Sequence, residues 1–186
     1  MALRIHGNRA IKTLPGQTTR PTPARVREAL FNVWQGAIAD CSWLDLCAGS
    51  GAMGAEALSR GAQRVVGIER LGKACAIIQA NWQAVADPHQ SFKIIKGDVV
   101  RQLQRLQGES FDRIYFDPPY ASDLYGPVLN AIAIQTLLSP QGEIAVEYTP
   151  AHWQPIPIVG LTLVRKKRYG TTGVVFYERE KNGVIE

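Results

Sequence analysis

From Ser42 onward the chain alternates between two periods of apolar spacing. Short apolar runs, characteristic of buried strands, are separated by stretches whose apolar residues recur every three or four positions, the spacing of one helix face. Residues 42–47 (SWLDLC), 64–69 (RVVGIE), 92–98 (FKIIKGD), 111–116 (FDRIYF) and 142–148 (GEIAVEY) read as strands. Residues 52–60 (stopped by Gly61), 73–86 (ending before Pro88), 99–107 (ending at Gly108) and 123–138 read as helices, the last starting after Pro127. The tail at 161–180 reads as a strand pair turning around Gly170 to Gly173. Strand–helix alternation predicts an α/β fold, a doubly wound, mostly parallel Rossmann-like sheet with helices on both faces. Ligands on such sheets bind beyond the carboxyl ends of the strands, near the switch in strand order.

The first forty residues have a different pattern. Two short strands around Gly7-Asn8 predict a hairpin. A polar, proline-punctuated loop spans Pro15 to Pro23. Thr22 and Pro23 then suit the cap and first position of a helix with Val26, Leu30, Val33, Trp34 and Ala37 on one face. The expected organisation is a basic hairpin and loop over residues 1–22, followed by a sheet domain over 23–186.

Charge sharpens this division. The net charge of +5 is unevenly spread. Residues 1–27 carry Arg4, Arg9, Lys12, Arg20, Arg25 and Arg27 with no acid, and residues 28–164 carry 9 basic against 13 acidic residues. Residues 165–186 are basic again, with the run RKKR at 165–168. Basic ends on an acidic body point to a polyanion, most simply nucleic acid. No apolar run approaches the ~20 residues of a membrane span. Without an apolar leader, and with Cys41, Cys47 and Cys75 forming no CxxC pair, the expectation is a reducing cytosol with free thiols. His6, His89 and His152 are scattered, so no metal site is expected. Nothing in the pattern demands a partner subunit, and a monomer is expected.

The candidate chemistry falls at strand ends. Residues 49–54 (GSGAMG) match GxGxxG, and Glu69 follows Gly49 by twenty residues at the tip of the second strand. Glycines allow a tight turn and close approach to a ligand, while a carboxylate at that tip accepts from ribose hydroxyls. A nicotinamide enzyme shares this signature. Asp45, in the first strand's end, opposes that reading, because a carboxylate repels a pyrophosphate and attracts the cationic methionine end of S-adenosylmethionine. Asp98 at the third strand's tip suits an adenine amino group, although it also suits a helix N-cap. The fourth strand ends in Phe116-Asp117-Pro118-Pro119-Tyr120. Proline fixes φ and offers no N–H, so the Pro118 carbonyl is held stiffly, beside the Asp117 carboxylate and an aromatic ring fit to stack on a flipped base.

These residues resemble the DPPY motif of amino-directed S-adenosylmethionine methyltransferases. That motif acts on adenine N6 as well as guanine N2, and both amines remain open from the motif alone. Taken with residues 20–32 (RPTPARVREALFN), 45–62, 65–70 and the closing RYGTTGVVFYE, the chain resembles, over nearly its whole length, the RsmD family of 16S rRNA guanine-N2 methyltransferases. The resemblance implies a cofactor site of Asp45, Ala48, Gly49, Ser50, Gly51, Glu69 and Asp98. It implies a target site of Asp117, Pro118 and Tyr120. It implies as substrate 16S rRNA or the assembling small ribosomal subunit. Arg20, Arg25, Arg27, Lys166 and Arg168 are then candidate phosphate contacts and Tyr169 a stacking residue. The chain departs from the family pattern at Ala24, where an acid is common, and at Cys47, where phenylalanine is common.

Overall fold

A computed structural model describes residues 3–14, 24–119 and 122–181. Strands β3 (Ser42–Leu46), β4 (Arg64–Glu69), β5 (Ser91–Lys96), β6 (Phe111–Phe116), β7 (Leu138–Tyr148), β8 (Leu161–Tyr169) and β9 (Thr172–Arg179) form one sheet in the order β5-β4-β3-β6-β7-β9-β8. The first five positions are parallel, and β9 and β8 close the sheet antiparallel. The order reverses between β3 and β6, so the glycine loop and the Asp117 turn leave neighbouring strands.

Alternating side chains divide the core in two. One cluster packs Trp43, Val65, Tyr115 and Phe176 of the sheet against α1 (Ala24–Val33), α2 (Ala52–Ser59) and α3 (Gly72–Val85). The other packs Leu44, Val66, Ile114 and Val146 against α4 (Val99–Gln104) and α5 (Tyr125–Ile134). Val26, Leu30 and Trp34 are buried as the helical spacing predicts; the expected Thr22 and Pro23 cap lies outside the described residues. Trp43 stacks on Phe31 and meets the edge of Trp34.

The expected hairpin is present as β1 (Leu3–Ile5) and β2 (Arg9–Ile11), and Ile5 and Ile11 join the first core. Helix α1 stops at Val33, short of Trp34 and Ala37, α4 stops at Gln104, short of the expected 107, and both boundaries of α5 differ from the pattern. Helix α5 starts at Tyr125, before Pro127, because a proline in the first turn lacks only an N–H that has no helical partner there. It stops at Ile134: Thr136 takes a left-handed φ of 51°, and Leu138 pairs with Phe111 as the start of β7.

Candidate active site

The chain leaves β3 through three left-handed residues, Cys47, Gly49 and Gly51, with φ of 60°, 57° and 71°. Two of them are glycines, which adopt this conformation at little cost. The turn's carbonyls are held from α3: the Asn81 amide donates to the Ser50 carbonyl at 2.9 Å, and Trp82 Nε1 to that of Gly51 at 2.8 Å. Gly51, Gly54 and Gly67 form a slot for Trp82, since a Cβ at each would stand 2.7, 2.3 and 2.5 Å from the indole. The second and third motif glycines thus serve packing against α3 as well as the turn.

Three carboxylates border the loop. Asp45 is 1% exposed, and its Oδ2 accepts the Gly54 N–H at 3.0 Å. Burial pushes its carboxyl up to about 8; the Gly54 N–H opposes this and the Glu69 charge adds to it. Glu69, buried at the tip of β4, accepts from Gly49 N–H at 2.9 Å and Leu71 N–H at 2.8 Å. Asp98 caps α4, accepting from Arg101 N–H at 3.1 Å, and stands exposed at the end of β5. Its cap role and its place at the strand tip coexist. Ala48 continues the ladder through its N–H to Ile68 at 3.2 Å, and Ser50 is half-buried beside it.

Asp117 and Pro118 follow β6, the neighbour of β3, half-buried and buried respectively, and Ser122 N–H donates to the Pro119 carbonyl at 2.9 Å. Tyr120 lies outside the described residues. The strand order β5-β4-β3-β6 brings Asp98, Glu69, Asp45 and Asp117 to one sheet edge, where Cys47 leaves β3. Its thiol is pushed up to about 12, first by burial and then by the charges of Glu69, Asp117, Asp45 and Asp98. All four carboxylates, from four strand tips, act on one sulfur. Such an edge suits a cationic nucleoside and repels a pyrophosphate, so this donor set fits S-adenosylmethionine. Asp45, Glu69, Asp98 and the loop of Ala48 to Gly51 are the residues that would hold it. Among the described residues no cluster of His, Cys, Asp and Glu could hold a metal ion.

The expected phosphate contacts separate. Arg20 lies outside the described residues. Arg25 is exposed on α1. Arg27 is not at the surface: it is 3% exposed, pairs with Glu56 at 3.3 Å and donates to the Arg4 carbonyl at 2.6 Å. Desolvation of a guanidinium needs such a partner, and Glu56 of α2 supplies it. In the tail, Lys166 pairs with Val175 and so shares the α4–α5 face with Arg168, whereas Tyr169 packs half-buried on the opposite core. Arg165 is committed to Glu143 at 3.0 Å. Sequence reasoning missed Glu56, Asn81 and the slot for Trp82, whose partners lie far away along the chain. The glycine at 67, inside an apolar strand, was the one local signal.

The profile of the family described as Conserved hypothetical protein 95 matches residues 3–178. YlbH of Bacillus subtilis is 31% identical over 173 residues, covering 92% of this chain and 94% of that protein. Ribosomal RNA small subunit methyltransferase D of Haemophilus influenzae is 30% identical over 182 residues, covering 94% and 89%. The solved structure of yhhF from Escherichia coli superposes with a TM-score of 0.84 at 29% identity, covering 97% of this chain and 99% of that one. The chain belongs to the Conserved hypothetical protein 95 family and is an RsmD-like methyltransferase with the class I S-adenosylmethionine-dependent fold.

Proposed function

We propose that the chain methylates the exocyclic N2 of a guanine in small-subunit (16S) rRNA, with S-adenosylmethionine as donor. The observation that carries this reading is that Asp98, Glu69, Asp45 and Asp117 stand at the carboxyl ends of the neighbouring parallel strands β5, β4, β3 and β6. It supports a turn that would hold the amine beside a loop that would hold the cation. The relatives named as ribosomal RNA small subunit methyltransferase D support the substrate. When bound, the cofactor supplies an electrophilic methyl group on a positively charged sulfur.

An aromatic amine is a weak nucleophile because its lone pair is delocalised into the ring. Asp117 and the Pro118 carbonyl accept its two N–H groups, which favours the pyramidal nitrogen and frees the lone pair. Asp117 and the Pro118 carbonyl would hold that lone pair toward the methyl group, which would pass to the nitrogen with a neutral thioether as leaving group. The extra proton leaves the nitrogen for Asp117 or solvent. The rate comes from positioning and electrostatics. Exposed Arg25 on α1 and exposed Lys166 and Arg168 on the α4–α5 side of β8 contribute phosphate contacts, while Tyr169 faces the α1 side of that strand.

The test is to incubate the protein with labelled cofactor and bulk RNA and identify the methylated nucleoside. N2-methylguanosine is expected; N6-methyladenosine would overturn the choice of amine. Asp117→Ala should lower transfer by about 10²-fold or more while cofactor affinity changes little. A normal rate in that variant would remove Asp117 from the reaction.

A further inference from the structure

Asn81, 3% exposed in α3, makes three hydrogen bonds to two distant segments. Its Oδ1 accepts the Lys12 N–H at 2.8 Å, and its Nδ2 donates to the Lys12 carbonyl at 2.9 Å. The same Nδ2 donates to the Ser50 carbonyl at 2.9 Å, between the two left-handed glycines. One amide therefore spans the end of the N-terminal hairpin and the middle of the cofactor loop. Among the described residues the hairpin has three other side-chain tethers, none of which touches that loop, and one of them is the Arg27 guanidinium donating to the Arg4 carbonyl at 2.6 Å. Glu56 accepts the His6 N–H at 3.0 Å, and Arg9 donates to the Val85 carbonyl at 2.8 Å.

We propose that Asn81 is a positioning residue that couples the cofactor loop to the N-terminal hairpin. A ligand that fixes the loop fixes the Ser50 carbonyl, hence the Asn81 amide, hence Lys12. Ordering at one end lowers the entropy still to be lost at the other, and such coupling is reciprocal. RNA engaged through the basic N-terminal segment then tightens cofactor binding, and the loaded enzyme holds its RNA better. This rests on the cofactor and RNA assignments above.

Hydrogen exchange of the full chain, with and without saturating S-adenosylhomocysteine, tests the coupling without RNA. The readout is the His6 amide, whose acceptor is Glu56 and not Asn81. In the native chain the ligand is expected to slow its exchange about fivefold or more, the lower end of typical coupling. In Asn81→Ala that increment falls to about onefold. Asn81→Asp keeps the acceptor for Lys12 N–H but loses the donor to both the Ser50 and the Lys12 carbonyl, so the hairpin is held by Glu56, Arg9 and Arg27 and the increment is lost. Arg9→Ala exchanges faster with or without ligand yet keeps the increment. A purely structural Asn81 would shift the baseline and leave the increment whole. Retention of the increment in Asn81→Asp, or its absence from the native chain despite ligand binding, overturns the proposal. Failure of S-adenosylhomocysteine to bind, seen by calorimetry, refutes the cofactor assignment and the proposal with it.

Discussion

Asp45 gives the most direct test of a cationic ligand at the sheet edge. Its carboxyl stands at about 8 against an ordinary 3.8, chiefly because burial penalises the charge. A positively charged methionine end favours the ionised form, so binding expels the proton that the free chain holds. Where the free chain is protonated and the complex is not, each pH unit weakens binding about tenfold, or about 1.4 kcal/mol. Titration at about 8 implies that affinity falls about 15-fold from pH 8 to pH 6.5 if the bound carboxyl titrates well below 6. Calorimetry at pH 7 in buffers of different ionisation enthalpy should count about 0.9 proton released per ligand. Asp45→Asn should bind more weakly at pH 8, with no slope and no proton release. The same group tilts stability. Its folded value lies above its unfolded one, so its stabilising contribution is complete below about pH 4 and is lost as pH rises through about 8. The stability difference between the native chain and Asp45→Asn should follow that sign. Flat affinity from pH 6.5 to 8 without proton release in the native chain would refute the reasoning.

Two further outcomes follow from packing. Gly54→Ala puts a Cβ 2.3 Å from Trp82 Cζ2, overpacking that costs about 1–3 kcal/mol in urea unfolding. Adding Trp82→Phe removes the obstructing ring, so the double variant should be at least about 1 kcal/mol more stable than the two single losses sum to. Glu56→Ala leaves the buried Arg27 guanidinium uncompensated and should cost about 3–5 kcal/mol. Combining it with Arg27→Met should recover part of that loss; no recovery would show that the pair is not what Glu56 supports.

The sheet and the two chemical loops were legible because their signals are local. An apolar run of six, a glycine triplet, and Asp-Pro-Pro each fall within one short window. What was not legible depended on distance along the chain. Arg27 ends a stretch without acids, the adjacent Glu28 is exposed, and the partner of Arg27, Glu56, is 29 residues on. Leu137 and Leu138 continue the apolar period of α5, yet Thr136 breaks the backbone and returns them to the sheet. Lys166, Arg168 and Tyr169 look like one basic patch in the sequence, but strand alternation sends Tyr169 to the other side.

Gly51, Gly54 and Gly67 belong to a loop, a helix and a strand, yet all three are shaped by one indole. Their freedom to vary is consequently joint: a lineage that keeps tryptophan at 82 must keep all three bare. One that exchanges it for a smaller side chain can admit methyl groups at 54 and 67 in the same stroke. Position 51 stays costly even then, because its left-handed backbone penalises a side chain and Ile78 would stand 3.0 Å from its Cβ.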